Sequence, residues 1–514
     1  MLIDLYKFIK PICPTQVITL VKKFIQMSLS NRLKNQHLLW RAAFGPMAET
    51  QAELNDITPK KLWKKLLESS AETPQKIDIA ANPFELKDLM NADVNMMNAN
   101  TAMMDADKKR ALQKQERDDL KDMNIAWLNL MINSKAQLRE KMSLFWHGHF
   151  ACRINNAYFS QALINSIRIN ALGNFGDMLR DVSKSPAMLQ FLNNQQNRKG
   201  KPNENFAREV MELFTLGRGN YTEKDVKEAA RSFTGWSYDK TGEFVFRKPV
   251  HDDGAKTFLG QTGNFDGDQI LDIILKNPET AKFITQKIYK YFVNEKADNV
   301  KVDYLSARFF KNNYDITKLL EDIYNSEWFY EAENIGNRIK SPVELIVGIR
   351  RFLPLTLDND DAQLLFEKVL GQVLFYPPNV AGWAGGKSWI DSSTLMVRLQ
   401  IPQVLSSKDS IDIRPKTDDD IAMGMTEEKR IKLGKKAVYA ATGASATIEW
   451  ETVNKIFEKT VRPQLSQAIV DSLLQTNGRI NATLLSKYLN NESRETFIKS
   501  VVINVMSTPE YQLC

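Results

Sequence analysis

The sequence predicts a mainly α fold: a multi-helical globular body with one small β-hairpin and one irregular loop rich in proline, glycine and tryptophan. Apolar residues recur at helical spacing through most of the 514 residues. The hydrophobic share of 43% and the charged share of 25% are typical of a globular chain that buries a sizeable core. The alternation that marks a strand is persuasive in one place.

The helices are predicted from apolar stripes and from breaker residues. Residues 31–67 form two short helices, which break at Gly45-Pro46 and restart near Thr58-Pro59, because proline suits a first helical turn. Residues 138–149 place one apolar face at intervals of three and four residues, and residues 279–293 do the same. Residues 108–121 interleave both signs of charge, which is typical of a solvated helix face.

Two segments depart from the helical pattern. Residues 236–247 place alternating residues around the turn Asp239-Lys240-Thr241-Gly242, which predicts the hairpin. Residues 376–390 combine two prolines, three glycines and two tryptophans, a composition that neither a helix nor a strand accommodates. Such loops line clefts or brace domains.

Composition shifts suggest five regions. The predicted divisions are an N-terminal extension at 1–29, a helical region at 30–125 with a polar excursion at 69–100, a core carrying the motif clusters at 126–405, an acidic and polar linker or insertion at 406–436, and C-terminal helices at 437–514.

Charge and cysteine content exclude several classes of protein. The net charge of +7, from 69 basic and 62 acidic residues, is small for the length. The basic residues form no concentrated stripe, so nucleic-acid binding is not predicted. Three scattered cysteines do not make a disulfide framework. The sequence contains no uninterrupted apolar stretch of about 18 residues, so it predicts no membrane-spanning helix. Without a clean signal peptide, the prediction is a cytoplasmic protein.

The histidines lie mainly in the middle third of the chain. His147 and His149 flank Gly148, and imidazole is a common transition-metal ligand. Positions i and i+2 of a helix differ by about 200°, so both rings reach one ion only if the helix ends near Trp146. The alternative is that His149 continues the apolar stripe as a core residue while His147 faces outward.

Residues 203–217 carry a second polar group. Arg208, Glu209 and Glu212 follow one helical stripe, where two carboxylates could bind a cation or position a water molecule. The same residues could equally form surface ion pairs of little energetic value. Gly217 is predicted to end this helix.

A third group lies at residues 251–256. His251, Asp252 and Lys256 make a dense polar cluster in which a carboxylate could orient a histidine, or in which Asp side chains could simply satisfy a turn. Aromatic and amide residues beside these clusters are predicted to wall a ligand site, the alternative being core packing; they are Trp146, Trp236, Asn379, Trp383 and Trp389.

The same stretches, in this order, resemble the bacterial domain-of-unknown-function 1800 family. The matching segments are 37–45, 146–150, 203–217, 221–236, 251–252 and 377–389. The resemblance implies a mainly helical fold and leaves the activity undefined. It also implies a partnership, because genes of the family often lie beside those of proteins similar to alkaline phosphatases and sulfatases. Many relatives look exported, which stands against the cytoplasmic prediction.

Two functional hypotheses follow. In the first, a metal-dependent hydrolase or transferase holds a divalent metal with His147, His149 and His251, uses Glu209, Glu212 and Asp252 in catalysis, and faces an anionic substrate with Arg208 and Lys256. In the second, a non-catalytic binding, maturation or assembly protein serves a phosphatase- or sulfatase-like partner, and the motifs form a folding core plus an interface.

Overall fold

The computed structural model describes residues 29–82, 106–406, 446–476, 480 and 485–514. The predicted extension at 1–29, the later part of the polar excursion and nearly all of the predicted linker at 406–436 therefore lie outside the described residues. Residues 70–82, the earlier part of that excursion, contain neither helix nor strand.

The first two helices begin as their capping residues predict. Helix α1 (Asn31–Ala42) begins after Ser30, whose side chain accepts a hydrogen bond from the Leu33 backbone N–H. Helix α2 (Pro59–Ser69) begins after the capping residue Thr58, with Pro59 in the first turn. The predicted break between them is confirmed.

Five helices then build the first half of the body. They are α3 (Ala106–Asn133), α4 (Gln137–His149), α5 (Ala157–Asn170), α6 (Phe175–Lys184) and α7 (Pro186–Phe191). Helix α8 (Glu204–Glu209) continues directly into a π-helical segment, Val210–Thr215, and α9 (Glu223–Ser232) begins at a capping box between Thr222 and Asp225.

The predicted hairpin is confirmed as strands β1 (Trp236–Tyr238) and β2 (Phe244–Phe246), which pair antiparallel. Two further antiparallel pairs accompany it: β3 (Lys256–Phe258) with β4 (Gln261–Gly263), and β5 (Leu355–Leu357) with β6 (Ala446–Ile448). The expectation of a single hairpin was incomplete. Three-residue strands are too short to show alternation, and β5–β6 joins segments far apart in the chain.

The remaining helices complete a mainly α fold, with nineteen α-helices in the described part of the chain. They are α10 (Gly267–Lys276), α11 (Pro278–Phe292), α12 (Asn299–Lys311), α13 (Ile316–Tyr324), α14 (Pro342–Phe352), α15 (Asp361–Leu370), α16 (Ser392–Ser406), α17 (Trp450–Ile456), α18 (Arg462–Leu473) and α19 (Arg494–Met506). No helix within the described ranges combines the length and apolarity that crossing a membrane requires.

Two apolar cores hold these helices together. The larger core takes side chains from the first helices through α13 and from the turn at Leu374-Phe375. The smaller core combines α15 and α16 with the C-terminal helices. Helix α14 contributes to both, with Val343 and Val347 in the larger core and other apolar side chains in the smaller.

A buried ionic cluster lies beside α14. Its members, named here the Glu344 cluster, are Glu344, Lys141, Arg338 and Ser341. The Glu344 carboxylate accepts hydrogen bonds from Lys141 Nζ, from Arg338 Nη1 and Nη2 at 2.9 and 3.0 Å, and from the Ser341 backbone N–H at 2.7 Å. Each charge has a partner, as burial requires.

Candidate functional site

The two histidines of the Trp146-His147-Gly148-His149 motif point in different directions. Helix α4 does not end at Trp146 but runs through His149, so the condition for both rings to share one ion is not met. Two residues along a helix turn the side chain by about 200°. His147 accordingly contacts Phe375 and Trp383, whereas His149 contacts Phe214.

His147 fixes the turn that precedes the proline- and glycine-rich loop. Its Nε2 accepts a hydrogen bond of 3.1 Å from the backbone N–H of Phe375. Phe375 has a φ of +66°, an unfavourable backbone conformation for a bulky residue, and this contact helps to hold it. Burial lowers the pKa of His147 to about 4, so the ring is neutral at physiological pH.

Glu367 holds the same turn through the neighbouring residue, Leu374. One carboxylate oxygen, Oε2, accepts from Asn124 Nδ2 at 2.7 Å and from the Leu374 backbone N–H at 3.3 Å. The side chain is fully buried and has no cationic partner among the described residues. Burial raises the pKa of Glu367 to about 8, so the carboxyl group is protonated at neutral pH.

Replacing Glu367 by glutamine should make stability less dependent on pH. The unfolded carboxyl releases its proton near its ordinary pKa of 4.5, whereas the folded group keeps it to about pH 8. The free energy of unfolding of the wild type therefore falls by a few kcal/mol as the pH rises through this window, and that loss is absent in Glu367→Gln.

Urea denaturation from pH 5 to 9 measures the difference between the two proteins. The exposed Glu72→Gln variant is the control and should follow the wild type at every pH. Parallel pH profiles for wild type and Glu367→Gln would show that the carboxyl ionises normally in the fold.

His149 contacts the π-helical segment Val210–Thr215. Its Nε2 donates to the Phe214 carbonyl at 3.1 Å, and its Nδ1 accepts from Lys287 Nζ at 3.2 Å. Lys287 also donates to the Leu213 carbonyl at 2.9 Å. Burial, together with the Lys287 charge, lowers the pKa of His149 well below its usual range. Both ring nitrogens thus have partners: Nε2 bonds the π-helical segment directly, and Nδ1 bonds Lys287, which in turn bonds that segment at Leu213.

The predicted polar stripe of residues 203–217 is split between ion pairs. Arg208 donates to Glu223 at 2.8 Å, and Glu212 accepts from Arg218 at 2.6 Å and from Tyr221 at 2.9 Å. Burial would raise the pKa of Glu212, but these two hydrogen bonds hold it below its usual range. Glu209 is half-buried, and burial followed by the Glu212 charge raises its pKa.

The 251–256 cluster also resolves into separate contacts. His251 Nδ1 donates to the Thr234 carbonyl at 2.8 Å, which leaves Nε2 as the nitrogen with a free lone pair. Asp252 forms a two-point ion pair with Arg231 at 2.8 and 3.1 Å, which lowers the pKa of Asp252 to about 2. Lys256 is buried and donates to the Asp252 and Phe265 carbonyls.

Some of the aromatic residues that were predicted to wall a ligand site lie in the hydrophobic core instead. Trp146 is fully buried, with its indole N–H donating to the Ala171 carbonyl at 3.1 Å, and Trp236 and Trp389 are buried as well. Trp383 is partly exposed and lies against His147, with 5.7 Å between ring centroids. Asn379 is exposed and accepts from the Ala381 backbone N–H in a tight turn.

The structure does not bring the predicted metal ligands together. His147, His149 and His251 bind three different backbone groups, at Phe375, Phe214 and Thr234. Throughout the described ranges, no three His, Cys, Asp or Glu side chains are placed to hold one ion. The residues present therefore do not fit the predicted metal, and no step through a metal is derived.

A basic surface that the sequence analysis overlooked lies near His251. Arg198, Lys199 and Lys201, together with Gln196 and Gly200, line an open cleft of about 550 Å³. The Lys199 backbone N–H donates to the Val250 carbonyl at 2.8 Å, which joins this segment to the stretch of chain that carries Arg247 and Lys248. We call these five cations, Arg198, Lys199, Lys201, Arg247 and Lys248, the basic surface. The sequence signal was the run Arg198-Lys199-Gly200-Lys201.

The cations of the basic surface differ from those of the other polar clusters because they have no carboxylate partners among the described residues. All five side chains are exposed, and within the described part of the chain none forms an ion pair. By contrast Arg208, which was predicted to meet an anionic substrate, is neutralised by Glu204 and Glu223. The cations available to a ligand are thus not the predicted ones.

Comparisons with known proteins identify the family of this chain and give no information on a reaction or a ligand. A family model described as a protein of unknown function (DUF1800) matches residues 37–513. No curated protein matches the chain, and no solved structure does.

Proposed function

We propose that this chain, which belongs to the DUF1800 family of unknown function, is a binding protein for a multivalent anion carrying phosphate or sulfate groups. The observation that carries the proposal is the cleft that Arg198, Lys199 and Lys201 line, with no carboxylate in its lining. Cations that no side chain neutralises attract anions by long-range as well as short-range forces.

The arrangement favours a ligand with several charges. The basic surface spans two segments of chain that one backbone hydrogen bond joins, and all five of its cations are exposed. Each interaction between one cation of an exposed cleft and one charge of the ligand is weak, because water screens the two charges from each other. Several pairs acting together are then needed for useful affinity. The Arg198 guanidinium adds a planar donor set that suits phosphate or sulfate oxygens.

The structure supports a binding role more directly than the catalytic one. Most of the side chains assigned to catalysis from the sequence are occupied in internal contacts: Glu212 and Asp252 in ion pairs, and His147 and His149 on backbone groups. His251, with its free Nε2, lies one residue beyond the backbone contact at Val250 and is a candidate to hydrogen bond the same ligand.

The test is the affinity of the purified protein for inorganic polyphosphate and for a sulfated oligosaccharide, measured by calorimetry at two salt concentrations. Replacing Arg198, Lys199 and Lys201 by alanine should weaken binding about tenfold or more, and the wild-type affinity should fall with salt. Lys60, Lys61 and Lys64, exposed on α2, give a triple-alanine control with the same change in net charge. This control should bind as the wild type does.

Three outcomes oppose the proposal. Equal losses in both triple variants would reduce the effect to net charge, and unchanged affinity in the cleft variant would place binding elsewhere. If neither polyanion binds but an acidic phosphatase- or sulfatase-like protein does, and does so through the same three cations, the ligand is a protein partner and the proposed chemistry is wrong.

A further inference from the structure

Helix α11 carries a lysine whose amine has only neutral partners. Lys287 Nζ donates to His149 Nδ1 at 3.2 Å and to the Leu213 carbonyl at 2.9 Å. The His149 ring is uncharged at neutral pH, because burial and the Lys287 charge hold its pKa well below the usual range. No carboxylate within the described ranges pairs with Lys287, whereas Lys282 on the same helix pairs with Asp303 at 2.9 Å.

These two contacts leave one position on the Lys287 nitrogen open. The nitrogen is tetrahedral: one position is bonded to Cε, and the acceptors at His149 and Leu213 occupy two more. The fourth position carries a third N–H in the charged amine and the lone pair in the neutral amine. No acceptor among the described residues occupies it. The neutral amine therefore keeps its lone pair available for bond formation.

The neutral form of this amine is well populated near physiological pH. Burial lowers the pKa of Lys287 from 10.5 to about 8. About one amine in ten is then neutral at pH 7, against about one in three thousand for a lysine with the ordinary pKa. Only the neutral amine attacks an electrophile, so a lysine desolvated in this way is an activated nucleophile.

Lys287 also differs from the other described lysines whose pKa burial lowers. Those three side chains have at most 1% of their surface exposed; they are Lys141, Lys256 and Lys340. Lys287 is partly exposed. A solute can therefore reach Lys287 in the folded chain, whereas it reaches the other three only when the fold opens.

The groups around this amine are aromatic rings. Lys287 Nζ lies 4.8 Å from the centroid of the Phe283 ring. The His149 ring lies 6.2 Å from that of Phe145 and 6.1 Å from that of Phe214, centroid to centroid. Such surroundings favour an uncharged reactant, because a charged one would lose hydration there. The reaction open to a neutral amine and an uncharged carbonyl compound is imine formation.

We propose that Lys287 is a reactive amine that forms an imine with small, uncharged aldehydes or ketones. Its Nζ attacks the carbonyl carbon, a carbon–nitrogen bond forms, and the carbonyl oxygen leaves as water with the two protons of the amine. The step needs no oxidant or reductant. A protonated imine keeps one N–H, which the Leu213 carbonyl or His149 Nδ1 can accept. None of the five cations of the basic surface takes part, so this inference stands apart from the proposed function.

Reductive trapping with propanal and sodium cyanoborohydride at pH 7 tests the proposal on the folded wild-type chain. The hydride reduces each imine to a secondary amine, and mass spectrometry of the peptides then gives a rate for each lysine. Lys287 should be modified about tenfold or more faster than Lys290, which is exposed on the same helix, because a larger fraction of Lys287 is neutral. A rate equal to that of Lys290, or below it, would overturn the proposal.

The same measurement in concentrated urea shows whether the fold creates the reactivity. Unfolding returns Lys287 to water, so Lys287 and Lys290 should then react at equal rates. In the folded chain the advantage of Lys287 should shrink as the pH rises to 10, because the exposed lysines lose their protons as well. An advantage that survives unfolding would come from the neighbouring sequence and would contradict the proposed site.

A pair of variants gives an independent test. Lys287→Arg keeps a cation with N–H donors for His149 Nδ1 and the Leu213 carbonyl but removes the amine, so the fastest-modified lysine should disappear from the folded protein. Lys290→Arg is the matched control on the same helix and should keep it. An equally fast lysine elsewhere in Lys287→Arg, or its loss in the control alone, would show that Lys287 is not the reactive amine.

Discussion

Replacing Glu344 by glutamine should lower the free energy of unfolding by about 3–5 kcal/mol, the loss expected when a buried charge loses its partner. Glu344 neutralises Lys141 and Arg338 in a region that water does not reach. Their charges hold the pKa of the Glu344 carboxyl well below its usual range, against the effect of burial. A neutral amide leaves both cations without the carboxylate that contacts them directly.

Urea denaturation at pH 7 measures this loss. Glu451→Gln is the control, because the ion pair between Glu451 and Lys455 is exposed and its loss should leave the stability close to that of the wild type. Adding Lys141→Met to Glu344→Gln should cost less than the sum of the two single changes, since the second change removes a cation that the first left unpaired. A loss below about 1 kcal/mol for Glu344→Gln would mean that water enters the Glu344 cluster.

Replacing Gly382 by alanine should destabilise the protein by about 2–4 kcal/mol. Gly382 lies in the proline- and glycine-rich loop with a φ of +77°, and a Cβ atom built there would stand 2.3 Å from the Gly148 carbonyl oxygen. Two penalties therefore add: the strain of a left-handed backbone and a clash with the backbone of the histidine motif.

Gly371→Ala separates the two penalties. Gly371, which follows α15, is left-handed with a φ of +86° and a ψ of +18°, and nothing lies within 4 Å of its Cβ position. This control should lose about 1 kcal/mol, the strain alone. Thermal or urea unfolding of both variants makes the comparison. Equal losses would show that the loop moves away from Gly148 at little cost.

Local patterns predicted the parts of the fold that short-range chemistry decides. Thr58-Pro59 and the turn at Asp239–Gly242 satisfy backbone groups within a few residues, and both are confirmed. The pairing of β5 with β6 depends on tertiary folding, so no local pattern reveals it.

The candidate site was harder to predict because it depends on which atoms meet across the chain. The interpretation of Glu209 and Glu212 as one stripe assumed α-helical spacing, whereas the chain passes into a π-helix at Val210, which changes the angle between successive side chains. The partners of His147 and His149 lie 228 and 65 residues away. Sequence spacing carries no information on such contacts.

The contacts do explain why the distinctive stretches occur together. His149 meets Phe214 and Gly148 meets Gly382, so the stretch 146–150 touches two of the other stretches that resemble the family. His147 meets Phe375, which lies just before the second of them. The basic surface, where we propose that the ligand binds, lies outside these stretches. Three of its five cations come from the short run Arg198-Lys199-Gly200-Lys201.

Helix α14 has a consequence for how the protein unfolds. Because Val343 and Val347 anchor the larger core while Ile346 and Ile349 anchor the smaller, neither core can lose this helix without exposing apolar surface in the other. The C-terminal helices are thus energetically coupled to the histidine-bearing body. We therefore expect that removing the C-terminal helices destabilises the larger core as well as the smaller one.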